Sequence, residues 1–165
     1  MNSLRLVPKN NDKEITKKFG DFVLRKLPKK ETETKFIFDC IGGDIDVGFR
    51  IYNAIRKNGK VDLDIKRAYS MGAVIIQGAR ERSIRWNGKI MIHEPNVQIT
   101  GLTLTEAKRY LREVERDYQR MCEILASRSN RSTRYWKSLR EDTYFSPAES
   151  LRLGLVDSIS RYIEA

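Results

Sequence analysis

The chain has 165 residues, of which 40% are apolar and 33% are charged; this suits a single globular domain over 1–165 and excludes a wholly disordered protein. It contains no run of 18 apolar residues and no apolar secretory signal, so we predict a cytoplasmic protein without a membrane segment. The net charge of +10 is spread along the chain without a cationic stripe or an aromatic stacking set, which argues against nucleic-acid binding.

The N-terminal part of the sequence alternates between helical and strand-like patterns. Apolar residues at helical spacing over 12–27 predict a first helix. The short apolar run 35–40 predicts a buried strand, and Gly42 with Gly43 predicts a turn into a second helix through 47–55. These patterns indicate a unit made of a strand, a glycine turn and a helix.

The same unit then repeats along the chain. The run 61–66 predicts a second strand, and the small and apolar residues 70–79 predict a helix that is buried on most sides. Two further strand-like runs, 83–86 and 89–94, flank Asn87–Gly88. Because Asn-Gly between two such runs is the strongest short hairpin signal, we predict a β-hairpin at this point.

The longest predicted element is a helix from Thr103 to about Ser129, with a capping box formed by Thr103 and Glu106. Apolar or aromatic side chains form one continuous stripe along about 40 Å of this helix. The stripe consists of Ala107, Tyr110, Leu111, Val114, Tyr118, Met121, Cys122 and Leu125. A domain of this size covers only part of that length, so we expect a partner subunit to cover the rest.

The C-terminal segment predicts a short helix followed by a closing strand or turn at 155–159. Ser146, Pro147 and Glu149 supply an N-cap, a proline at the first helical position and a capping carboxylate. Gly154 then supplies the stop signal. The alternation of strands and helices along the chain predicts an α/β fold with mainly parallel pairing.

Two side chains are candidates for nucleophilic catalysis. Ser70 lies at a predicted strand-to-helix junction, where helix amides are unpaired as an oxyanion site requires, although an ordinary N-cap serine is the alternative. His93, the single histidine, suits a general base, although a lone histidine is more often a structural residue. Gly42 and Gly43 either let backbone amides approach a substrate carbonyl or form only a tight turn.

Several motifs of the sequence resemble the proteolytic subunit of the Clp protease family. They are IGGDIDVGFRIYNAI (41–55), AYSMGA (68–73), MIHEP (91–95) and DTYFSPAESLRLGLVDSI (142–159), in the family's order. The resemblance runs from Phe36 to Ile159. It implies a ClpP/crotonase-like fold, which is a spiral of βαβ units with one long protruding handle helix.

The resemblance also implies an active site and an activity. Ser70 is similar to the family's nucleophile, His93 to its general base and Asp142 to the carboxylate that orients the base. Gly43 and Met71 match the positions whose backbone N–H groups form the oxyanion hole. The implied protein is a serine endopeptidase that hydrolyses peptide bonds through an acyl-enzyme.

The chain departs from the family's pattern at several positions near this site. Residues 39–41 replace an Asn-Ser-Pro before the glycine pair, Lys66–Arg67 replaces a glycine region before the nucleophile, and 96–99 replaces glycines after the histidine. Glu141 replaces an arginine used in contacts between rings, and it is a rival to Asp142 as the orienting carboxylate. The family's N-terminal axial-loop region is expected to be largely missing.

The family further implies a homo-oligomeric ring, a peptide or unfolded protein as substrate and an AAA+ unfoldase as a candidate partner, with peptide hydrolysis itself independent of ATP. No cofactor is implied, and Cys40 and Cys122 fit no metal pattern, so we expect no cofactor and no metal. The alternatives are a catalytically idle scaffold subunit, a phage maturation protease, and a signal-peptide-peptidase type of enzyme with Lys66 as its base. A crotonase-type acyl-CoA enzyme would share the fold but would not need a serine triad.

Overall fold

The computed structural model describes residues 4–8, 13–28 and 32–161, and the following elements are those of the described residues. The strands are β1 (Leu4–Leu6), β2 (Thr34–Cys40), β3 (Val61–Tyr69), β4 (Arg82–Ile92), β5 (Thr143–Phe145) and β6 (Ser158–Ser160). The helices are α1 (Lys17–Lys26), α2 (Ile45–Asn58), α3 (Met71–Ile75), α4 (Leu104–Arg128), α5 (Thr133–Lys137) and α6 (Pro147–Arg152). A 3-10 turn at Ile76–Gly78 extends α3.

The strands form one mixed sheet in the order β1-β2-β3-β4, and β5 and β6 both pair with β4. The pairing of β5 with β4 is antiparallel, and the other pairings are parallel. Helices α1, α2 and α3 each connect two parallel neighbours, so the first half of the chain consists of successive βαβ units. This arrangement confirms the predicted α/β class with mainly parallel pairing.

The predicted hairpin at Asn87–Gly88 is wrong, because both flanking runs belong to the single strand β4. Ile65 of β3 faces Ile84 and Arg67 faces Lys89, so β4 carries extra residues between these pairs and forms a bulge. A Cβ atom at Gly88 would lie 3.0 Å from the carbonyl oxygen of Ile65 in β3 and 3.0 Å from that of Arg85 in β4 itself. The Asn-Gly pair therefore permits the close backbone approach of a bulge and does not reverse the chain.

Helices α4 and α6 begin where the sequence predicts, and both have the predicted capping boxes. Glu106 N–H donates to Thr103 Oγ1 (3.3 Å), and Thr103 N–H donates in return to Glu106 Oε2 (2.9 Å). Ser146 and Glu149 repeat the arrangement with distances of 3.3 and 2.8 Å. Capping boxes are local interactions, which is why the sequence alone located both helix starts.

Only the C-terminal part of the α4 stripe packs into the hydrophobic core of this chain. Met121, Cys122 and Leu125 are buried there. Towards the start of the helix, Tyr110 and Leu111 leave 38% and 40% of their surface exposed. A single chain therefore leaves the outer half of the stripe partly exposed, as we expected from its length.

Helix α1 begins later than predicted, at Lys17 with Thr16 as its N-cap; residue 12 lies outside the described residues. Ile15 is not helical and instead forms an isolated parallel bridge with Gly43. Around Ile15, the chain before α1 therefore lies alongside the glycine turn.

Arg82, at the start of β4, holds the C-terminal segment in place from within the protein. Its buried guanidinium donates hydrogen bonds to Asp157 Oδ1 (2.5 Å) and Oδ2 (3.0 Å), and its backbone N–H donates to the same carboxylate (2.8 Å). The other side of the guanidinium contacts Gln77 Oε1. A buried arginine is therefore paired with a carboxylate, as its burial requires.

Candidate active site

Ser70 lies at the junction between β3 and α3 and has an unusual backbone conformation. Its φ and ψ are 52° and −121°, a combination that non-glycine residues rarely adopt. Its N–H donates a hydrogen bond to Met91 C=O (2.8 Å), which anchors the junction to β4. The Ser70 side chain makes no capping hydrogen bond to α3, so the ordinary N-cap alternative is not supported. Strained residues of this kind cluster at active sites.

His93 follows directly after β4 and contacts the two other candidate triad residues. Its Nε2 lies 2.8 Å from Ser70 Oγ, within hydrogen-bonding distance. Its Nδ1 lies 3.2 Å from Asp142 Oδ1. The β4–β5 ladder explains why His93 meets Asp142. Ile92 pairs with Thr143, His93 directly follows Ile92, and Asp142 directly precedes Thr143. The fold thus brings together three side chains that are far apart in the sequence.

The geometry also distinguishes Asp142 from the alternative carboxylate Glu141, and His93 from the alternative base Lys66. The carboxylate that lies 3.2 Å from His93 Nδ1 is that of Asp142 and not that of the neighbouring Glu141. Within the described residues, the hydrogen-bond partner of Ser70 Oγ is His93 and not Lys66. Asp142 remains well exposed, with 58% of its side chain accessible, whereas the His93 side chain is 18% exposed.

The Gly42–Gly43 turn packs directly against Ser70. The two glycines have φ values of 99° and 131°, which residues with side chains rarely adopt. A methyl group on Gly42 would lie 2.8 Å from Ser70 Cβ and 3.4 Å from Met71 N. The turn therefore needs glycine both for its backbone conformation and for its approach to the start of α3.

Two backbone amides beside Ser70 are available to a ligand. The glycine turn bonds to Ile15 through Gly42 C=O, which accepts from Ile15 N–H, and through Asp44 N–H, which donates to Ile15 C=O. In a parallel bridge of this kind the N–H of the middle residue, Gly43, points away from Ile15. Met71 is the first residue of α3, and its N–H has no intrahelical acceptor. Within the described residues neither amide has a hydrogen-bond acceptor. An oxyanion requires such donors near the nucleophile.

An ion-pair cluster beside this turn was missed by the sequence reasoning. The buried Asp39 carboxylate accepts hydrogen bonds from Lys13 Nζ (2.6 Å) and Arg67 Nε (2.6 Å). Burial acts to raise the pKa of Asp39, but hydrogen bonds and charges from Arg67 and Lys13 hold that pKa below its usual value. The pairing of Asp39 with Arg67 follows from the β2–β3 register, which the sequence did not reveal.

Cys40 lies buried just before the glycine turn. Burial raises the pKa of the Cys40 thiol to about 12, so this cysteine is not a nucleophile at neutral pH. The described residues contain no group of three or more His, Cys, Asp or Glu side chains placed to hold a metal ion. Among the helices in the described part of the chain, none is long and apolar enough to span a membrane.

Comparison with known proteins gives consistent matches. A family model described as Clp protease matches residues 3–162. The chain is 29% identical over 123 residues to the ATP-dependent Clp protease proteolytic subunit of Carsonella ruddii (strain PV), covering 72% of this chain and 63% of that protein. It is 24% identical over 153 residues to the ATP-dependent Clp protease proteolytic subunit 3 of Streptomyces avermitilis, covering 90% of this chain and 69% of that protein. The chain therefore spans about two thirds of the length of these curated relatives.

Proposed function

Since the chain belongs to the Clp protease family, we propose that it is a serine endopeptidase in which Ser70, His93 and Asp142 form the catalytic triad. The observation that carries this proposal is the 2.8 Å contact between His93 Nε2 and Ser70 Oγ, with Ser70 on a strained junction. A nucleophile within hydrogen-bonding reach of a base, and a base next to a carboxylate, is the arrangement that this chemistry requires.

In the acylation step, Ser70 Oγ attacks the carbonyl carbon of the scissile peptide bond, and His93 Nε2 takes the hydroxyl proton. His93 Nδ1 then carries the other ring proton and faces Asp142, whose negative charge stabilises the imidazolium. The negative oxygen of the tetrahedral intermediate binds the N–H groups of Gly43 and Met71. When the C–N bond breaks, His93 Nε2 gives its proton to the departing amine.

In the deacylation step, a water molecule takes the place of the amine. His93 Nε2 removes a proton from that water, and the resulting hydroxide attacks the ester carbonyl. The ester bond to Ser70 Oγ then breaks, and Ser70 recovers a proton from His93. All of these groups belong to the protein or to water, so hydrolysis of a short peptide proceeds without ATP.

Substrates, location and partners are further parts of the proposal. The substrate is a peptide or an unfolded protein segment, and an AAA+ unfoldase is the candidate partner that would deliver it, because the two curated relatives are named as ATP-dependent. The chain forms a homo-oligomeric ring, which the partly exposed outer half of the α4 stripe supports. Two free and buried cysteines suit a reducing cytoplasm.

Substitution of the nucleophile and of the base tests the proposed triad. We expect Ser70→Ala and His93→Ala each to abolish turnover of a short fluorogenic peptide, with the double variant little worse than either single one, because both groups act in one step. Labelling by a fluorophosphonate probe should occur in the wild type and not in Ser70→Ala. Unchanged turnover by a folded Ser70→Ala protein would refute the triad and favour another nucleophile, whereas a folded wild type with neither turnover nor labelling would favour an idle scaffold.

A further inference from the structure

Three segments of the chain meet at the Asp39 carboxylate. Asp39 lies near the end of β2, its side chain is only 3% exposed, and Lys13 reaches it from the segment before α1. Arg67, in β3 and close to Ser70, approaches both carboxylate oxygens, with Nε 2.6 Å from Oδ1 and Nη2 3.3 Å from Oδ2. One carboxylate is thus held by two cations, each with about a third of its side chain exposed.

The segment that carries Lys13 is also bonded to the backbone of the glycine turn. Ile41 N–H donates to Lys13 C=O (3.2 Å), and Ile15 N–H donates to Gly42 C=O (2.6 Å). On the far side of the turn, Asp44 N–H donates to Ile15 C=O (3.2 Å). Lys13 has a φ of 56°, a conformation that is uncommon for residues with a side chain.

We infer that Asp39 is a positioning residue for the oxyanion hole: by holding Lys13 and Arg67, it fixes the Gly42–Gly43 turn against Ser70 and so aims the Gly43 amide at the reacting carbonyl oxygen. This inference rests on the proposed peptidase function. It also accounts for the burial of the Asp39 carboxylate, since Arg67 supplies the positive charge that a buried carboxylate needs.

A positioning role has a kinetic signature that a purely structural role lacks. Oxyanion donors act on the transition state more than on the bound substrate, and removal of one donor costs about 10²- to 10³-fold in kcat. A displaced donor retains part of its effect. We therefore expect Asp39→Asn, which keeps the shape but loses the charge, to lower kcat by about 10- to 100-fold and to leave KM within about twofold of the wild type.

The experiment measures kcat and KM on a fluorogenic peptide, and inhibition by a peptide boronate whose tetrahedral adduct places an oxygen in the same hole. Affinity for the boronate should fall in parallel with kcat in Asp39→Asn. The matched control is Asp62→Asn, the same change at a carboxylate of β3 that pairs with Arg80 (2.6 Å) away from Ser70. This control should keep wild-type kinetics and boronate affinity.

Further variants keep the inference testable if Asp39→Asn does not fold. Arg67→Gln leaves Asp39 paired with Lys13, and it should lower kcat in the same direction by a smaller factor. The double variant Asp39→Asn with Arg67→Gln should lose less than the product of the two single losses, because it removes the unpaired cation. A double variant whose loss in kcat equals the product of the two single losses would overturn the inference. An Asp62→Asn control that loses as much kcat as Asp39→Asn would also overturn it.

Failure of this inference is distinguishable from failure of the proposed function. If wild-type turnover depends on Ser70 but folded Asp39→Asn has an unchanged kcat, Asp39 is not a positioning residue and the triad stands. If no turnover depends on Ser70, the peptidase proposal fails, and the inference about the oxyanion hole fails with it. Amide hydrogen exchange over residues 41–44 adds a readout without substrate, and it should accelerate in Asp39→Asn and not in Asp62→Asn.

Discussion

Replacing Asp142 with asparagine tests the part of the proposed triad that the structure exposes most. The substitution keeps the size of the side chain and removes the charge that faces His93 Nδ1 at 3.2 Å. At that distance, the attraction between a carboxylate and an imidazolium is about 1.3 kcal/mol in water and about 5 kcal/mol at an effective dielectric constant of about 20. Since about 1.4 kcal/mol corresponds to a factor of ten in rate, these limits correspond to about 10-fold and several thousand-fold.

The exposure of Asp142 decides where between those limits the effect should lie. Because 58% of its side chain is accessible to solvent, screening by water and salt weakens the pair. We expect Asp142→Asn to lower kcat by about 10- to 100-fold, which is less than the roughly 10⁴-fold loss known for a buried triad aspartate. The loss should shrink as ionic strength rises, because salt weakens the wild-type interaction that the variant lacks.

The assay is turnover of a short fluorogenic peptide by the wild type, Asp142→Asn and Glu141→Gln at matched folding stability. Glu141→Gln is the control, because the neighbouring carboxylate changes in the same way but is not the one placed beside His93. We expect it to retain wild-type turnover within about threefold. A larger loss in Glu141→Gln than in Asp142→Asn would refute the assignment, and an unchanged rate in Asp142→Asn would show that this carboxylate takes no part.

Two further predictions concern stability and assembly. Burial acts to raise the pKa of Asp157, but hydrogen bonds from Arg82 outweigh it and hold that pKa below its usual value. The ion pair therefore stabilises the folded protein fully above the unfolded pKa of about 4, and this stabilisation is lost as the pH falls through the lower pKa of the folded state. Asp157→Asn should therefore lower the thermal midpoint at pH 7, and calorimetry should show this difference from the wild type shrinking below about pH 4; a constant difference would contradict the ion pair. Tyr110→Lys combined with Leu111→Asp should give smaller particles in light scattering, because both side chains are exposed in the single chain, while Arg116→Gln on the opposite helix face should not. A wild-type protein that is monomeric at every concentration would contradict the ring.

Local signals in the sequence located several elements well. The capping boxes of α4 and α6 depend on residues three positions apart, so their sequence patterns predicted both helix starts correctly. Motif resemblance predicted that Ser70, His93 and Asp142 would belong to one site, and the structure brings their side chains together. Their catalytic role remains a proposal.

Features that depend on strand pairing could not be predicted in the same way. Asn87–Gly88 gives the same local signal in a hairpin and in a bulge, and only the pairing of both flanking runs with β3 distinguishes them. Strands β1 and β5 have three residues each, which is too short for a periodic pattern to stand out. The bond between Asp39 and Arg67 joins residues 28 positions apart, so it follows from the β2–β3 register and not from any local motif.

Ile92 and Thr143 are neighbours on the β4–β5 ladder, so the polypeptide between them leaves the sheet and re-enters it at one point. Helices α4 and α5 lie within this excursion. Turns can be added to or removed from the exposed outer part of α4, in steps of about seven residues that keep the same side facing outward. If the connection at 93–103 changes length with them, the β4–β5 pairing that sets His93 beside Asp142 is kept. In the proposed oligomer, contacts between copies of the chain can therefore change while the proposed triad keeps its geometry.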